Sequence, residues 1–381
     1  MKGTYALFLG ALATGLTLPC LAAAEGCLGP TPVAGRVMAL DPRTGRANEV
    51  YQVPGASLAR PAVAADVLYV GRPYQLDAVK LQGGKVLWSF PADYIVYDIR
   101  PTPQTVFCGA GATLHAVKPA TGKEIWKFQS KGAVDGLLLA DGMVLFGSHQ
   151  GVRAVDQQTG RQRWLLPGPR GWDELSLGGG GTICSWGREN TLVADLKNGK
   201  RLWQEKSVGD PEKWAGFPVN VVASDGRLFS VPVVDEDKGK ITVTAADVVT
   251  RRPLWKTTLE ARLGKHLALY ALGGQVLVAN ENGDNAVFAL EAATGKVRWQ
   301  LPAGKPAVSV LRGTADRTTI FVTDGQSTLW ALDRQTGKTR WHYAPPQPPA
   351  NQYYSILAPT ATPDAIYVTV NQLKRSGGGD R

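Results

Sequence analysis

The chain has 381 residues, 44% hydrophobic and 19% charged, which excludes a disordered polymer and allows one large domain or two ordinary ones. Its 44 glycines, 25 prolines and 11 tryptophans suit many short strands joined by tight turns. The formal net charge of +10 leaves acidic partners open.

Residues 1–24 read as a secretory signal: Lys2, an apolar run from Tyr5 to Leu18, then Leu21-Ala22-Ala23-Ala24, with cleavage expected after Ala24. The run is too short to span a bilayer comfortably, and no other stretch is long and apolar enough, so no transmembrane segment is expected. The mature protein is expected to be exported and soluble, in the periplasm or associated with the cell envelope. A lipid anchor at Cys27 would need Ala24-Glu25-Gly26 to act as a lipobox; Glu25 and the missing upstream Leu argue against it. Cys108 and Cys184 stand in apolar strands and read as buried, inert thiols.

Residues 25–372 read as a single repeat domain, and residues 373–381 as a disordered tail. Eight units align on a turn at Gly45, Gly84, Gly122, Gly160, Gly199, Arg251, Gly295 and Gly337. A cation follows each turn: Arg46, Lys85, Lys123, Arg161, Lys200, Arg252, Lys296 and Lys338. These eight explain much of the net charge without a nucleic-acid partner, and none is expected. Four residues after the turn stand Trp88, Trp126, Trp164, Trp203, Trp255, Trp299 and Trp341, with Glu49 in the first unit. Six residues before it stands Ala or Val. A thin strand before the turn and a Trp after it let one sheet approach the next, so neighbours must stack to bury the Trp. Asp41, Asp156, Asp195, Asp247 and Asp333 are placed to accept bonds from turn amides. Unit one starts directly at the strand Arg36 to Leu40, with no room for two strands before it, while SILAPT and AIYVTVN near the C-terminus supply two strands with no hairpin after them. The two ends are expected to share one blade and close a ring. The expected fold is an all-β, eight-bladed propeller of four-stranded antiparallel blades.

The pattern A-x-D-x-x-T-G-K-x-x-W resembles the tryptophan-docking repeat of pyrroloquinoline quinone (PQQ)-type eight-bladed propellers, within the wider WD40/YVTN-like class. One branch of that family is the quinoprotein dehydrogenases; the resemblance is nearer to the noncatalytic, BamB-like branch. The dehydrogenases carry an adjacent Cys-Cys pair above the quinone, and no two cysteines are adjacent here. The resemblance therefore implies no catalytic residues, no metal and no cofactor, with PQQ and Ca²⁺ only under the dehydrogenase alternative. It implies a protein or cell-envelope component as partner.

In propellers of this type the interblade segments share a face with the middle hairpin of each blade, opposite the T-G turns. Aromatics outside the repeat gather on those segments: Tyr94, Tyr97 and Arg100; Trp172 and Asp173; Trp214; Tyr353 and Tyr354. Aromatics and Arg on loops are typical of recognition surfaces, or else they plug the central channel. Glycan stacking on Trp172 and Trp214 and binding of an acidic polymer are further alternatives. The hairpins VDEDKGK (234–240) and NENGDN (280–285) lack EF-hand spacing, and His115, His149, His266 and His342 show no metal-ligand spacing.

Overall fold

The computed structural model describes residues 31–374, with breaks at 58, 149, 169–171, 188–189, 207–220, 236–238, 262–265, 273, 282–286, 302–312, 317 and 324–326. Its geometry begins at the repeated turn. Asp41 Oδ1 accepts from the amides of Arg43 and Thr44 at 2.9 and 2.8 Å and from the Thr44 hydroxyl at 3.0 Å. Asp156, Asp247 and Asp333 do the same in their own turns. The turn then passes through a positive φ, 69° at both Gly122 and Gly160. Glycine is needed there twice over. The backbone is left-handed, and a Cβ on Gly122 would sit 2.7 Å from the Trp88 ring. Arg251, at φ 63°, carries a side chain in the same conformation. Its guanidinium lies over the Trp203 ring, 5.2 Å from the centroid, and pairs with Glu205.

Each Trp docks on the turn of the next unit. Trp88 Nε1 donates to Pro119 O at 2.7 Å, Trp126 to Gln157 O at 3.1 Å, and Trp164 to Leu196 O at 3.1 Å. Trp203, Trp255 and Trp299 donate likewise to Val248, Ala292 and Arg334. Trp341 closes the ring by donating to Pro42 O at 2.9 Å, across 299 residues of sequence. The ring faces pack on apolar neighbours: Phe107, Phe229 and Phe321 each lie 5.8 Å, centroid to centroid, from a docking Trp. The repeat alanines Ala78, Ala116, Ala154, Ala289 and Ala331 are fully buried.

A β-bulge recurs beside each Trp. In unit three, Ala116 opposes Trp126 and Val117 opposes Glu124, so Ile125 is left unpaired and turned outward. In unit one the bulge falls on Val50, with Val37 opposing Tyr51 and Met38 opposing Glu49. Tyr51 then does the bridging that the absent Trp does elsewhere, donating its hydroxyl to Asp77 Oδ2 of unit two at 3.1 Å.

Units four to eight each form a four-stranded antiparallel sheet. Both chain ends share one sheet, in the order Ala47–Val53, Thr31–Leu40, Ile366–Lys374, Gln352–Ile356. The final strand runs to Lys374, two residues into the stretch read as tail. The expected eight blades are corrected to seven, because units two and three merge into one six-stranded sheet. The cause is a single strand, Val86–Pro101. It pairs with Val67–Lys80 from Val86 to Ile95, then with Val106–Ala110 from Val96 to Pro101. The chain crosses this junction without leaving the extended conformation. Among the described residues no helix is long and apolar enough to cross a membrane.

Gly160→Ala would place a Cβ 2.6 Å from the Trp126 ring, whereas a Cβ on Gly180, also at positive φ, meets nothing within 4 Å. We expect Gly180→Ala to lose only the backbone strain, about 1–2 kcal/mol. Gly160→Ala should lose about 1–3 kcal/mol more through the clash. Trp164→Ala should cost about 3–5 kcal/mol. Urea denaturation of the three variants checks the order.

Candidate functional site

Antiparallel pairing puts the T-G turns at one end of the sheets and the middle hairpins at the other. In unit two the strand Val67–Lys80 folds back on itself as the middle hairpin: Leu81 N donates to Asp66 O at 2.9 Å, and the reversal falls at Arg72-Pro73-Tyr74-Gln75, where the register to the next strand shifts. Tyr74 stands there at φ 61°, with 56% of its surface exposed. A positive φ on an aromatic residue is costly and persists only where the surroundings impose it.

Asp77 imposes it. Its carboxylate is 1% exposed and gathers four donors: Arg72 Nε at 2.7 Å, Gln75 Nε2 at 2.6 Å, Ser89 Oγ at 2.7 Å and Tyr51 Oη at 3.1 Å. Arg72 and Gln75 are the two shoulders of the hairpin tip, so one carboxylate fixes both and leaves Tyr74 projecting. Burial alone would raise the Asp77 pKa, but the hydrogen bonds from Arg72, Gln75 and Ser89 outweigh it and hold it below its ordinary value of 3.8. Burial beside this carboxylate pushes Tyr51 up to about 12.

Tyr74 meets Tyr94 edge-on at 5.8 Å between centroids, and Tyr94 meets Tyr97 at 6.5 Å. Tyr94 is 38% exposed and is braced by Gly111, where a Cβ would lie 2.7 Å from the Tyr94 Cβ. Beside it, Asp93 Oδ2 accepts from Thr113 Oγ1 at 3.0 Å and lies 3.6 Å from Nε2 of buried His115. The result is a row of three tyrosines on the face opposite the T-G turns, held by polar contacts beneath. Such a surface offers large aromatic area with hydroxyls at its edge.

The remaining expected site residues divide. Tyr94, Tyr97 and Arg100 lie in the strand Val86–Pro101, not in a loop. Arg100 is committed to structure: its guanidinium pairs with Asp98 at 2.6 Å and donates to Leu137 O at 2.7 Å. Tyr354 packs on the core of the shared sheet, and Tyr353 lies beside it in the strand Gln352–Ile356. Trp172 begins the strand Trp172–Gly179, opposite Gly187, while the side chains of Trp172 and Asp173 lie outside the described residues. Trp214 lies outside them altogether, as do most of the two acidic hairpins. Tyr74 and Asp77 went unread in the sequence. One signal was available: the residue before the repeat Ala is Asp77, His115 and Arg153 in three consecutive units, and all three are buried.

Cys108 and Cys184 lie in different sheets, and burial pushes both thiols up to about 12. Among the described residues no three His, Cys, Asp or Glu side chains converge as metal ligands.

The folded-state pKa of Asp77 lies below its unfolded value, so its ionised network stabilises the fold above the ordinary carboxylate range. That stabilisation is lost as the pH falls through the range toward the folded-state pKa. Asp77→Asn should be less stable than wild type at neutral pH and lose less of its stability between about pH 5 and pH 2. Urea midpoints across that range check it; parallel curves would contradict it.

The sequence matches the family model described as outer membrane protein assembly factor BamB over residues 102–237 and 239–377. No curated protein matches it. Among solved structures, BamB from Moraxella catarrhalis is similar, with a TM-score of 0.56 and 15% identity over 85% of this chain and 96% of that one. The computationally designed Ika8 protein is similar with a TM-score of 0.63 and 15% identity, over 85% of this chain and 99% of that one. Quinohemoprotein alcohol dehydrogenase from Comamonas testosteroni has a TM-score of 0.54 and 12% identity, over 91% of this chain and 77% of that one. At these identities the structural likenesses show the propeller fold alone, and it is the match of the family model along most of the repeat that places this chain in the BamB family of β-propellers.

Proposed function

We propose that this chain is a noncatalytic binding propeller of the cell envelope, which holds a protein or envelope component against its tyrosine-bearing face in a scaffolding or assembly role. The observation that carries the reading is Tyr74, an exposed aromatic side chain held at φ 61° by a buried carboxylate. Its exposed ring meets Tyr94 edge-on, so the hairpin tip adds to the aromatic row rather than to the core. The match to the BamB family supports a protein partner, since that family's description names an assembly factor. The proposed location, outside the cytoplasm, rests on the same match and on the signal-like residues 1–24. In this reading the propeller needs no cofactor.

A photo-crosslinking residue placed at Tyr94 should capture a defined envelope protein, and the same residue at Lys338, on the T-G turn face, should not. Tyr74→Asn, which suits a positive φ, should keep or raise the melting temperature while weakening capture. Equal capture from both faces would overturn the reading. Added PQQ with Ca²⁺ should leave the melting temperature and absorbance unchanged; a saturable rise would favour a quinoprotein instead.

A further inference from the structure

The T-G turn face is not uniform around the ring. The residue four before the turn is acidic in six units: Asp41, Asp156, Asp195, Asp247, Glu291 and Asp333. In units two and three it is Lys80 and Lys118. The bulged residue before the Trp varies as well, between arginine and an aliphatic. In units four, seven and eight it is an arginine that folds back on the acid of its own turn: Arg163 on Asp156 at 2.5 Å, Arg298 on Glu291 at 2.9 Å, Arg340 on Asp333 at 2.6 Å. In units two and three the bulge instead turns out Leu87 and Ile125, exposed by 48% and 41%.

An exposed aliphatic also stands at the bulge in units five and six, Leu202 and Leu254, but there the turn keeps its acid; only in the adjacent units two and three does the aliphatic adjoin a lysine in place of the acid. Within each turn the two lysines stand side by side, since Lys80 N donates to Lys85 O at 2.8 Å and Lys118 N to Lys123 O at 2.9 Å. The turns adjoin, because Trp88 bonds Pro119 O and its ring lies against Gly122. All four lysines are exposed, and none has a side-chain ion pair among the described residues. The nearby acids are Asp66 on the neighbouring inner turn and Glu124, whose Oε1 lies 2.8 Å from buried His115 Nδ1. Asp66 stays in solvent and offsets one lysine at most, while Glu124 is drawn inward.

We infer that this sector of the turn face docks on an anionic lipid bilayer. Lysine heads at the rim match lipid phosphates, and their stems leave Leu87 and Ile125 at the level of the acyl boundary. A soluble acidic polymer would engage the lysines but gain nothing from the two aliphatic side chains. The inference is independent of the tyrosine row, which lies at the other end of the same strands. A chain docked in this way presents its tyrosines away from the membrane.

Co-sedimentation of the full chain with phosphatidylcholine vesicles, with and without phosphatidylglycerol, tests this. Binding should require phosphatidylglycerol and weaken with salt. Lys80→Gln with Lys118→Gln should lower partitioning about 30-fold, near fivefold per lysine. Leu87→Ser with Ile125→Ser should lower it about tenfold or more at unchanged charge. Tyr94→Ala should bind vesicles as wild type does. Equal binding to both vesicle types would overturn the inference. So would full binding by the Leu87/Ile125 variant with displacement by polyphosphate, which would mark the sector as a site for acidic polymers.

Discussion

The bond from a tryptophan indole to the carbonyl of the next turn sets the rest of this structure. No unit can satisfy that N–H or bury that ring within itself, because the acceptor and the glycine floor belong to its neighbour. The turn must therefore be built to receive a ring. In five units its Asp ties down the amides; its glycine, replaced only by Arg251 in unit six, supplies the left-handed backbone and removes the Cβ, and its carbonyl faces the indole. Stacking follows from this dependence, and closure follows from stacking, since Trp341 finds its acceptor only at Pro42. The shared sheet, with the first and last strands paired from Thr31↔Lys374 to Leu40↔Ile366, locks the same closure through the backbone.

The first junction breaks the rule and is the place where the ring differs most. Glu49 stands where the Trp would be, and the displaced bulge brings Tyr51 forward to Asp77. A polar hub replaces an apolar dock. The same hub steadies the hairpin tip of unit two, and the next junction downstream is spanned by the continuous strand Val86–Pro101. Both irregularities serve one surface, the row of Tyr74, Tyr94 and Tyr97. Repetition builds the scaffold, and departures from repetition build the site.

The repeat was legible in the sequence because its spacing is fixed by one local turn, which admits few residues at each position. The shared blade was legible from the missing inner strands of unit one and the two orphan strands near the C-terminus. The merged sheet was not, since Pro91 and the polar residues beside it read as a connection. The buried set Ile95, Val96, Ile99 showed itself only when paired across both neighbours. Tyr51 was hidden because alignment at a fixed offset fails where a bulge moves. Tyr74 was hidden because a positive φ is read from glycine or asparagine, and neither stands at this tip. Tyr94 and Tyr97 were found as aromatics outside the repeat, but their strand conformation and their partner Tyr74 were not.

If docking from unit to unit carries the stability of the whole ring, the closing contact is worth more than its own two neighbours. Native-state hydrogen exchange on Trp341→Ala tests this most directly. Loss of closure should speed amide exchange in all seven sheets, including those of units four and five on the far side of the ring. Faster exchange confined to the shared sheet and unit eight would show a string of separately stable sheets and contradict the account.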